Sequence, residues 1–353
     1  MNSRIALVAL SCALSVALGL TLAGRGPAAS SGGKKKVVIG LSLDTLKEER
    51  WQKDRDAFVK RGEELGAEVL VQAANSDDTR QIQDVEALLS RGIAALVIVP
   101  HNAAAMAKVV GLAHDAGVPV ISYDRLITDA DVDLYVTYDP VKIGEAQARY
   151  LVERFRGKGK KKIVRIYGAK TDNNSLLLKK GQDSVLAPAL AKGDIQVVHE
   201  DWAENWKPEN AKKIMNAAIT RHGTDIDGVL AANDGTAGGA IQALLEEGLA
   251  GKVVVTGQDA ELAACQRIAS GAQAMTIYKS PVILGGRAAE SAIRMATGKP
   301  VVAAAEVFNG KLNVPSILLE VTVVTKDNLM ETVVKDGMHP RDAVLNSVPA
   351  GKP

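Results

Sequence analysis

Short apolar runs alternate with longer amphipathic segments from residue 36 almost to the end of the chain. The short runs are nearly continuous in Val, Ile and Leu, which is typical of strands buried on both faces of a sheet. The longer segments repeat apolar residues at spacings of three and four, as helices packed on a sheet do. This alternation predicts βαβ units with parallel strands, and therefore an α/β fold. The predicted strands are residues 37–43, 68–73, 95–99, 118–123, 134–138, 162–167, 195–200, 228–232, 253–256 and 274–278.

The predicted helices lie between these strands and carry recognisable start and stop residues. Pro208 and Glu209 fall in a first turn, while Gly66, Gly92 and Gly117 follow last turns. A further strand-like run covers residues 316–325. The helices are expected at residues 50–65, 78–91, 103–116, 140–156, 208–221, 236–247, 261–271 and 282–297.

The length of 353 residues exceeds the roughly 250–300 residues at which a single core stops growing. Two series of strands and helices meet near Asp139, so two doubly wound lobes are predicted rather than one long sheet. The extra helix and strand in the tail indicate that the chain crosses between the lobes more than once. We predict an N-terminal lobe of residues 34–139 plus 279–310, and a C-terminal lobe of residues 140–278 plus 311–345.

Residues 1–33 have the composition of an export signal followed by a flexible tether. Arg4 precedes an almost wholly apolar stretch at residues 5–23, and a run rich in Gly, Ala and Ser follows it. A transmembrane anchor is the alternative, because the stretch approaches the roughly 20 residues that span a bilayer. Export predicts a location in the periplasm or on the outer face of the cytoplasmic membrane. After processing, Cys265 would be the single cysteine, which excludes an intramolecular disulfide and predicts a buried thiol.

The charge balance argues against a polyanionic partner, because 43 Lys and Arg residues oppose 41 Asp and Glu residues. Lysine clusters at residues 34–36 and 158–162 are short, flanked by glycine and free of interleaved aromatic residues. We interpret these clusters as solvated loops rather than nucleic-acid contacts. The 5 histidines are dispersed without metal-ligand spacing. No nucleic acid, metal or cofactor is therefore expected.

The positions just after the predicted strands are unusually polar. In open parallel sheets, ligands bind in the crevice at the carboxyl ends of the strands. A pyranose offers hydroxyl groups that donate and accept, plus an apolar ring face, so its site needs planar polar groups and an aromatic ring. The 3 tryptophans, Trp51, Trp202 and Trp206, fall in or beside such strand-end loops. The strand-end residues are Asp44, Glu49 to Trp51, His101, Asn102, Asp124, Arg125, Asp172 to Asn174, Trp202 to Trp206, Asn233, Asp234, Gln258, Asp259 and Lys279.

A carboxylate pair for glycoside hydrolysis is an alternative role for the same aspartates. Asp124, Asp172, Asp234 and Asp259 each lie next to an Arg, Asn or Gln, which suits hydrogen bonding to neutral hydroxyls better than a carboxylic acid with a raised pKa. No nucleophile elbow, phosphate loop or dinucleotide motif is present. We therefore predict a binding protein rather than an enzyme.

Several segments resemble the periplasmic D-xylose-binding proteins, which are the sugar-binding components of ABC transporters. The most specific is the run ERWQKDRD at residues 49–56, and the resemblance extends in order from Lys36 to Asp342. His101 departs from the family pattern, which has a tyrosine there, and we interpret it as a solvent-exposed loop residue. The other segments are YDR at 123–125, DNN at 172–174, WKPENA at 206–211, NDGTAGGAIQAL at 233–244, GQDA at 257–260 and TIYK at 276–279.

The resemblance implies a periplasmic binding protein of type I, with two Rossmann-like lobes joined by a three-segment hinge. It implies a monomer that holds one monosaccharide, D-xylose, in the cleft and delivers it to a membrane permease. Trp51 and Trp206 would sandwich the sugar ring, one from each lobe. Asp172 and Asn173 share a loop with this site but are not assigned direct contacts. The implied ligand-binding residues are Arg50, Trp51, Asp124 and Arg125 from the first lobe, Asn174, Trp206, Asn233 and Asp259 from the second, and Lys279 at a crossover.

Two rival functions use the same fold and ligand chemistry. A repressor's sensor domain would need an N-terminal helix-turn-helix, whereas this chain begins with the predicted export signal. A sugar-sensing input to a chemoreceptor or membrane signalling protein differs in its docking partner alone and remains an alternative. The epimers of xylose and glucose also remain alternatives, since each differs from xylose by one hydroxyl orientation or one hydroxymethyl group.

Overall fold

The computed structural model describes residues 36–346, and the predicted export signal and tether at residues 1–33 lie outside this range. The strands are β1 Val38–Leu43, β2 Glu68–Ala73, β3 Ala95–Ile98, β4 Val120–Tyr123, β5 Leu134–Tyr138, β6 Lys161–Tyr167, β7 Ile195–Trp202, β8 Gly228–Ala231, β9 Val254–Val255, β10 Thr276–Tyr278, β11 Ala305–Phe308, β12 Asn313–Leu319 and β13 Thr322–Val324. The helices are α1 Glu49–Glu64, α2 Asp78–Ser90, α3 Ala107–Asp115, α4 Pro140–Phe155, α5 Asn173–Lys192, α6 Pro208–His222, α7 Asp234–Glu246, α8 Leu262–Ser270, α9 Pro281–Ala296 and α10 Arg341–Leu345.

The first lobe is built on a sheet with strand order β11-β12-β5-β4-β3-β1-β2. Its strands pair in parallel, except that β11 pairs antiparallel to β12 at the edge. Leu41 and Val97 pack on one face towards Phe58 of α1, and Leu96 and Ile98 pack on the other face in the core that holds α2 and α3. Burial on both faces explains the nearly continuous apolar runs in the sequence.

The second lobe contains a parallel sheet of order β7-β6-β8-β9. Helices α6 and α7 cover one face, and α4 and α5 cover the other. Backbone hydrogen bonds from Ala274 to Val255 and from Asp259 to Ile277 join β10 to the end of β9. Cys265 of α8 is fully buried, as predicted, and burial raises the pKa of its thiol. The tail, including α10, packs against α8 in the same small core.

The chain crosses between the lobes in three places, which together form the predicted hinge. The first crossing lies between β5 and α4, and the second lies between β10 and α9, which returns to pack on α1. The third lies between β12 and β13, because β12 pairs with β5 while β13 pairs with β10. The predicted lobe boundary at residue 311 is therefore wrong for β12, which belongs to the first sheet.

Helix α5 was not predicted from the sequence, and it packs very closely against α4. A Cβ added at Gly144 would lie 2.1 Å from the carbonyl oxygen of Leu178, and one at Gly181 would lie 2.0 Å from that of Val141. Glycine at these two positions therefore lets the two backbones touch.

Gly181→Ala is expected to lower the free energy of unfolding by about 1–3 kcal/mol, because the added methyl group must push two helix backbones apart. Gly111→Ala is the matched control, since Gly111 lies in α3 with no atom within 4 Å of an added Cβ. That control is expected to be neutral or to stabilise by up to about 1 kcal/mol. Chemical denaturation of both variants measures the difference, and equal midpoints would contradict the close approach.

None of the helices within residues 36–346 has both the length and the apolar character needed to cross a bilayer.

Candidate functional site

A cavity lies where the carboxyl ends of strands from both sheets face each other. The space between its lining atoms, counted together with the open solvent at its mouth, is about 450 Å³. Every residue of the predicted ligand-binding set lines this cavity. The lining residues are Glu48, Arg50, Trp51, Asp124, Arg125, Tyr138, Pro140, Ile143, Asp172, Asn174, Leu178, Trp206, Asn233, Gln258, Asp259 and Lys279.

Arg50 is the central cation of the cavity. It lies in the first turn of α1, and its side chain is only 6% exposed. Its guanidinium pairs with Asp54 at 3.1 Å, with Asp124 at 2.9 Å and with Asp259 at 3.4 Å. Because Asp259 belongs to the second lobe, this one side chain connects carboxylates on both sides of the cavity.

Asp124 follows β4 in a left-handed backbone conformation, with φ of 58°. Its carbonyl oxygen accepts hydrogen bonds from Tyr135 Oη at 2.9 Å, Thr137 Oγ1 at 2.7 Å and Asn174 Nδ2 at 3.0 Å. These three donors hold a conformation that a residue with a Cβ rarely adopts. They thereby fix the direction in which the Asp124 carboxylate projects.

Arg125 links the two lobes through Asp172. Its guanidinium lies 2.7 Å from Asp44 of its own lobe and 2.8 Å from Asp172 of the second lobe. The other oxygen of Asp172 accepts from the backbone N–H of Asn174 as the N-cap of α5, and Trp206 Nε1 donates to Asp172 at 3.1 Å. Both oxygens of Asp172 are therefore occupied, which favours a positioning role for this residue.

The two cavity tryptophans come from opposite lobes. Trp51 lies beneath the guanidinium groups of Arg50 and Arg125, whose Cζ atoms are 4.1 and 5.2 Å from the ring centroid. Trp206 has φ of 57° and packs so closely on Gly168 that an added Cβ there would lie 2.2 Å from the indole. Trp202 instead stacks on Tyr167 with centroids 4.6 Å apart and does not line the cavity.

Lys279 lies at the second crossing and contacts carboxylates of both lobes. Its Nζ is 2.9 Å from Asp259 Oδ1 and 3.7 Å from Asp124 Oδ2. Asn233 follows β8 and caps α7, where its side chain accepts from the backbone N–H of Thr236. The adjacent Asp234 is fully buried behind the cavity, with hydrogen bonds from Gln273 and Thr276, so it is structural.

Charge and burial set the protonation states of the cavity carboxyl groups. Burial alone would raise the pKa of Asp124, but Arg50 and Lys279 outweigh it and lower this pKa to about 2. Burial likewise opposes ionisation of Asp44, whose pKa is lowered to about 2 by Arg125 and His101. Asp124 and Asp44 are thus carboxylates at neutral pH, able to accept hydrogen bonds but not to donate a proton.

His101 is not the solvent-exposed residue that the sequence suggested. Its side chain is 12% exposed, and Nδ1 lies 3.0 Å from Asp44 Oδ1. Its backbone N–H donates to Gln81. The carboxylate of Asp44 beside the ring raises the pKa of His101, so the residue supports the Asp44 and Arg125 pair from behind.

Some of the residues that line the cavity were not predicted from the sequence. Gln258 was noted at a strand end, but Glu48 was missed although it directly precedes the ERWQKDRD run. Tyr138, Ile143 and Leu178 add an apolar wall, and the latter two lie on helices rather than at strand ends. Within the described residues, no cluster of three or more His, Cys, Asp or Glu side chains has the geometry to hold a metal ion.

Two parallel-sheet lobes, three crossings and a polar cavity with one indole from each lobe define a solute-binding protein of the type I periplasmic fold. The sequence matches the periplasmic binding protein domain over residues 39–300, and the chain belongs to that family.

Two relatives in this family are D-xylose-binding periplasmic proteins. The protein from Haemophilus influenzae is 45% identical over 317 residues, which cover 90% of this chain and 95% of the relative. The protein from Escherichia coli is 46% identical over 305 residues, which cover 86% and 92%. Among solved structures, a carbohydrate transporter solute binding protein from Chloroflexus aurantiacus in complex with D-glucose superposes with a TM-score of 0.82. It is 31% identical, and the match covers 88% of this chain and 98% of that chain.

Proposed function

We propose that this protein binds one molecule of D-xylose between its lobes and delivers it to the membrane permease of an ABC transporter. The observation that carries the proposal is the shared cavity, which is lined by Trp51 and Trp206 from opposite lobes together with planar polar groups. The two D-xylose-binding relatives support the choice of sugar. Their names also support a periplasmic location, and we propose export and a monomeric state for this chain.

The chemistry of the cavity suits an uncharged polyol. Asp124 and Asp259 present carboxylate oxygens, while Arg50 and Lys279 present donors, so each sugar hydroxyl can donate to one neighbour and accept from another. The faces of the two indoles match the apolar faces of a pyranose ring. We assign the ligand contacts to Arg50, Trp51, Asp124, Arg125, Asn174, Trp206, Asn233, Asp259 and Lys279.

Contacts around the cavity explain how binding would favour closure of the lobes. Lys47 Nζ donates to the carbonyl of Asn205 at 2.9 Å, and the backbone N–H of Leu262 donates to Glu49 at 2.9 Å. These contacts join one lobe to the other, and a ligand that touches both lobes adds to them. A ligand shifts a conformational equilibrium only through such differential contacts. A permease can therefore distinguish the closed, loaded protein from the open one.

The same geometry argues against catalysis. Glycoside hydrolysis needs one carboxylic acid with a raised pKa beside a second, ionised carboxylate. Asp124 has a lowered pKa and two cationic neighbours, and Asp259 pairs with both Arg50 and Lys279. Burial raises the pKa of Asp172, but both of its oxygens are already occupied by Arg125, Trp206 and the backbone of Asn174. We therefore propose that the bound sugar leaves chemically unchanged and that the protein requires no cofactor.

Titration with D-xylose is expected to change the tryptophan fluorescence with a Kd of about 1 μM or lower, about −8 kcal/mol. The change should persist in Trp202→Phe, because Trp202 lies outside the cavity. Calorimetry with D-ribose, L-arabinose and D-glucose provides the comparison. Tighter binding of any of these sugars than of D-xylose would contradict the assignment of the sugar.

A further inference from the structure

One carboxylate oxygen at the cavity wall has no partner. Glu48 lines the cavity with a side chain that is 10% exposed, and its Oε2 is buried without a hydrogen-bond partner among residues 36–346. The other oxygen, Oε1, lies 3.0 Å from Nζ of Lys47, a residue at the rim. Buried carboxylate oxygens are normally paired, because an unmade hydrogen bond there is costly.

The position of Glu48 in the chain does not explain this oxygen. Glu48 is the N-cap residue of α1, where a side chain usually accepts a hydrogen bond from the first turn of its own helix. The Glu48 side chain makes no such bond. The Glu48 carboxylate is therefore not used to cap the helix, and it is available to contact a ligand in the cavity that it borders.

A ligand hydroxyl is the group that fits this oxygen. The nearby cations are already engaged, since Arg50 pairs with three aspartates and Arg125 pairs with Asp44 and Asp172. A carboxylate oxygen accepts a hydroxyl hydrogen in a short, charge-assisted bond that is about twice as strong as a neutral one.

We propose that Glu48 is a specificity-determining residue whose Oε2 accepts a hydrogen bond from one hydroxyl of the bound monosaccharide. This inference rests on the proposed function and deepens it, because it assigns one hydroxyl of the sugar to a residue outside the set predicted from the sequence. It implies that a sugar lacking this hydroxyl leaves the oxygen unpaired in the closed protein and binds poorly.

The test compares wild type and Glu48→Leu by calorimetry with D-xylose and its four monodeoxy analogues. Glu48→Leu is expected to weaken D-xylose binding about 10- to 100-fold. One of the four analogues should bind wild type about 10- to 100-fold more weakly than D-xylose does. The same analogue should bind Glu48→Leu as tightly as D-xylose binds that variant, because the analogue and the variant each lack one partner of the same hydrogen bond. An equal affinity of Glu48→Leu and wild type for D-xylose, or an equal loss for every analogue, would overturn the inference.

Two controls separate recognition from structure. Lys47→Gln removes the rim ion pair and the contact to Asn205 while leaving Glu48 in place, so it should reduce the affinity for all analogues by a similar, smaller factor. If it instead reproduces the selective loss, the inference is wrong. Without sugar, Glu48→Leu should unfold at the same temperature as wild type or higher, because it removes an unpaired buried oxygen.

The comparison also distinguishes failure of this inference from failure of the proposed function. If wild type binds another monosaccharide more tightly than D-xylose, the same variants are compared on the deoxy series of that sugar. The assignment of D-xylose then fails while the role of Glu48 is still tested. If wild type binds no monosaccharide, both proposals are overturned.

Discussion

Arg50→Met is expected to lower the free energy of unfolding by about 3–5 kcal/mol and to abolish measurable sugar binding. Methionine has a similar length but no charge, so Asp54 loses its ion-pair partner, and Asp124 and Asp259 keep only Lys279 of their two cationic partners. Removing one partner from a buried ion pair is among the most destabilising changes a fold can undergo. Urea denaturation at pH 7 without sugar measures the loss of stability.

The cost of Arg50→Met should also depend on pH. In wild type, the pKa of Asp124 is lowered from 3.8 to about 2, so its ion pairs contribute stability above about pH 4 that is lost as the pH falls towards 2. In the variant, Arg50 no longer opposes the effect of burial on the pKa of Asp124. This pKa is therefore higher than in wild type, and Asp124 takes up a proton at a higher pH. The difference between variant and wild type is therefore largest near neutral pH and shrinks as the pH falls.

Arg55→Met provides the matched control, five residues further along α1. The Arg55 side chain is 33% exposed and pairs with Asp56, which is 67% exposed. Exposed pairs contribute about 0–1 kcal/mol, so this variant should unfold almost as wild type does. Equal stabilities of Arg50→Met and Arg55→Met would show that the buried network contributes little to folding.

The sheet architecture could be predicted from the sequence because strands buried on both faces have nearly continuous apolar residues. Runs such as β3 and β4 are wholly buried, so each position must be apolar or small, and the surrounding helices carry one apolar stripe. The two lobes follow from the repetition of this pattern. No long-range information was needed for these conclusions.

Helix α5 escaped prediction because its apolar residues do not form one stripe. Leu178 and Leu186 are buried, whereas Leu176 is 48% exposed and Leu190 is 37% exposed. Pro188 within the helix further weakens the pattern. The exposed leucines hide the periodicity of the buried face, and the close glycine contact with α4 is a tertiary feature.

The placement of β12 failed for a different reason. The sequence predicted one strand-like run at residues 316–325, whereas the structure has the end of β12 and β13 there, and the choice of sheet depends on pairing with β5 and β10, far away in the sequence. A strand at the end of a chain with three crossings can join either lobe. Only the three-dimensional pairing decides between them.

The site was predicted where it follows the rule for strand ends, and missed where it does not. Asp124 and Asp259 follow strands of parallel sheets, so the rule found them. Ile143 and Leu178 reach the cavity from helices, and their spacing resembles that of ordinary core residues. The left-handed backbone at Trp206 likewise depends on the surrounding packing.

Trp206→Ala is expected to weaken D-xylose binding by about 30- to 1,000-fold, which corresponds to about 2–4 kcal/mol. The indole supplies the aromatic face from the second lobe, and its Nε1 anchors Asp172, which in turn holds Arg125. Truncation therefore removes both the ring contact and one support of the cross-lobe ion pair. Calorimetry with D-xylose measures the change in affinity.

Trp202→Ala is the matched control for this prediction, because it removes the same side chain four positions earlier in the chain. Trp202 stacks on Tyr167 and lies under Lys170, outside the cavity, so its loss should leave the Kd for D-xylose within about twofold of wild type. Thermal unfolding without sugar should occur at a lower temperature in Trp206→Ala than in wild type, because the indole is buried in the hydrophobic core as well as lining the cavity. If Trp206→Ala unfolds far more easily than wild type yet binds D-xylose normally, the role of Trp206 is structural. That result would contradict the proposal that one indole from each lobe contacts the sugar.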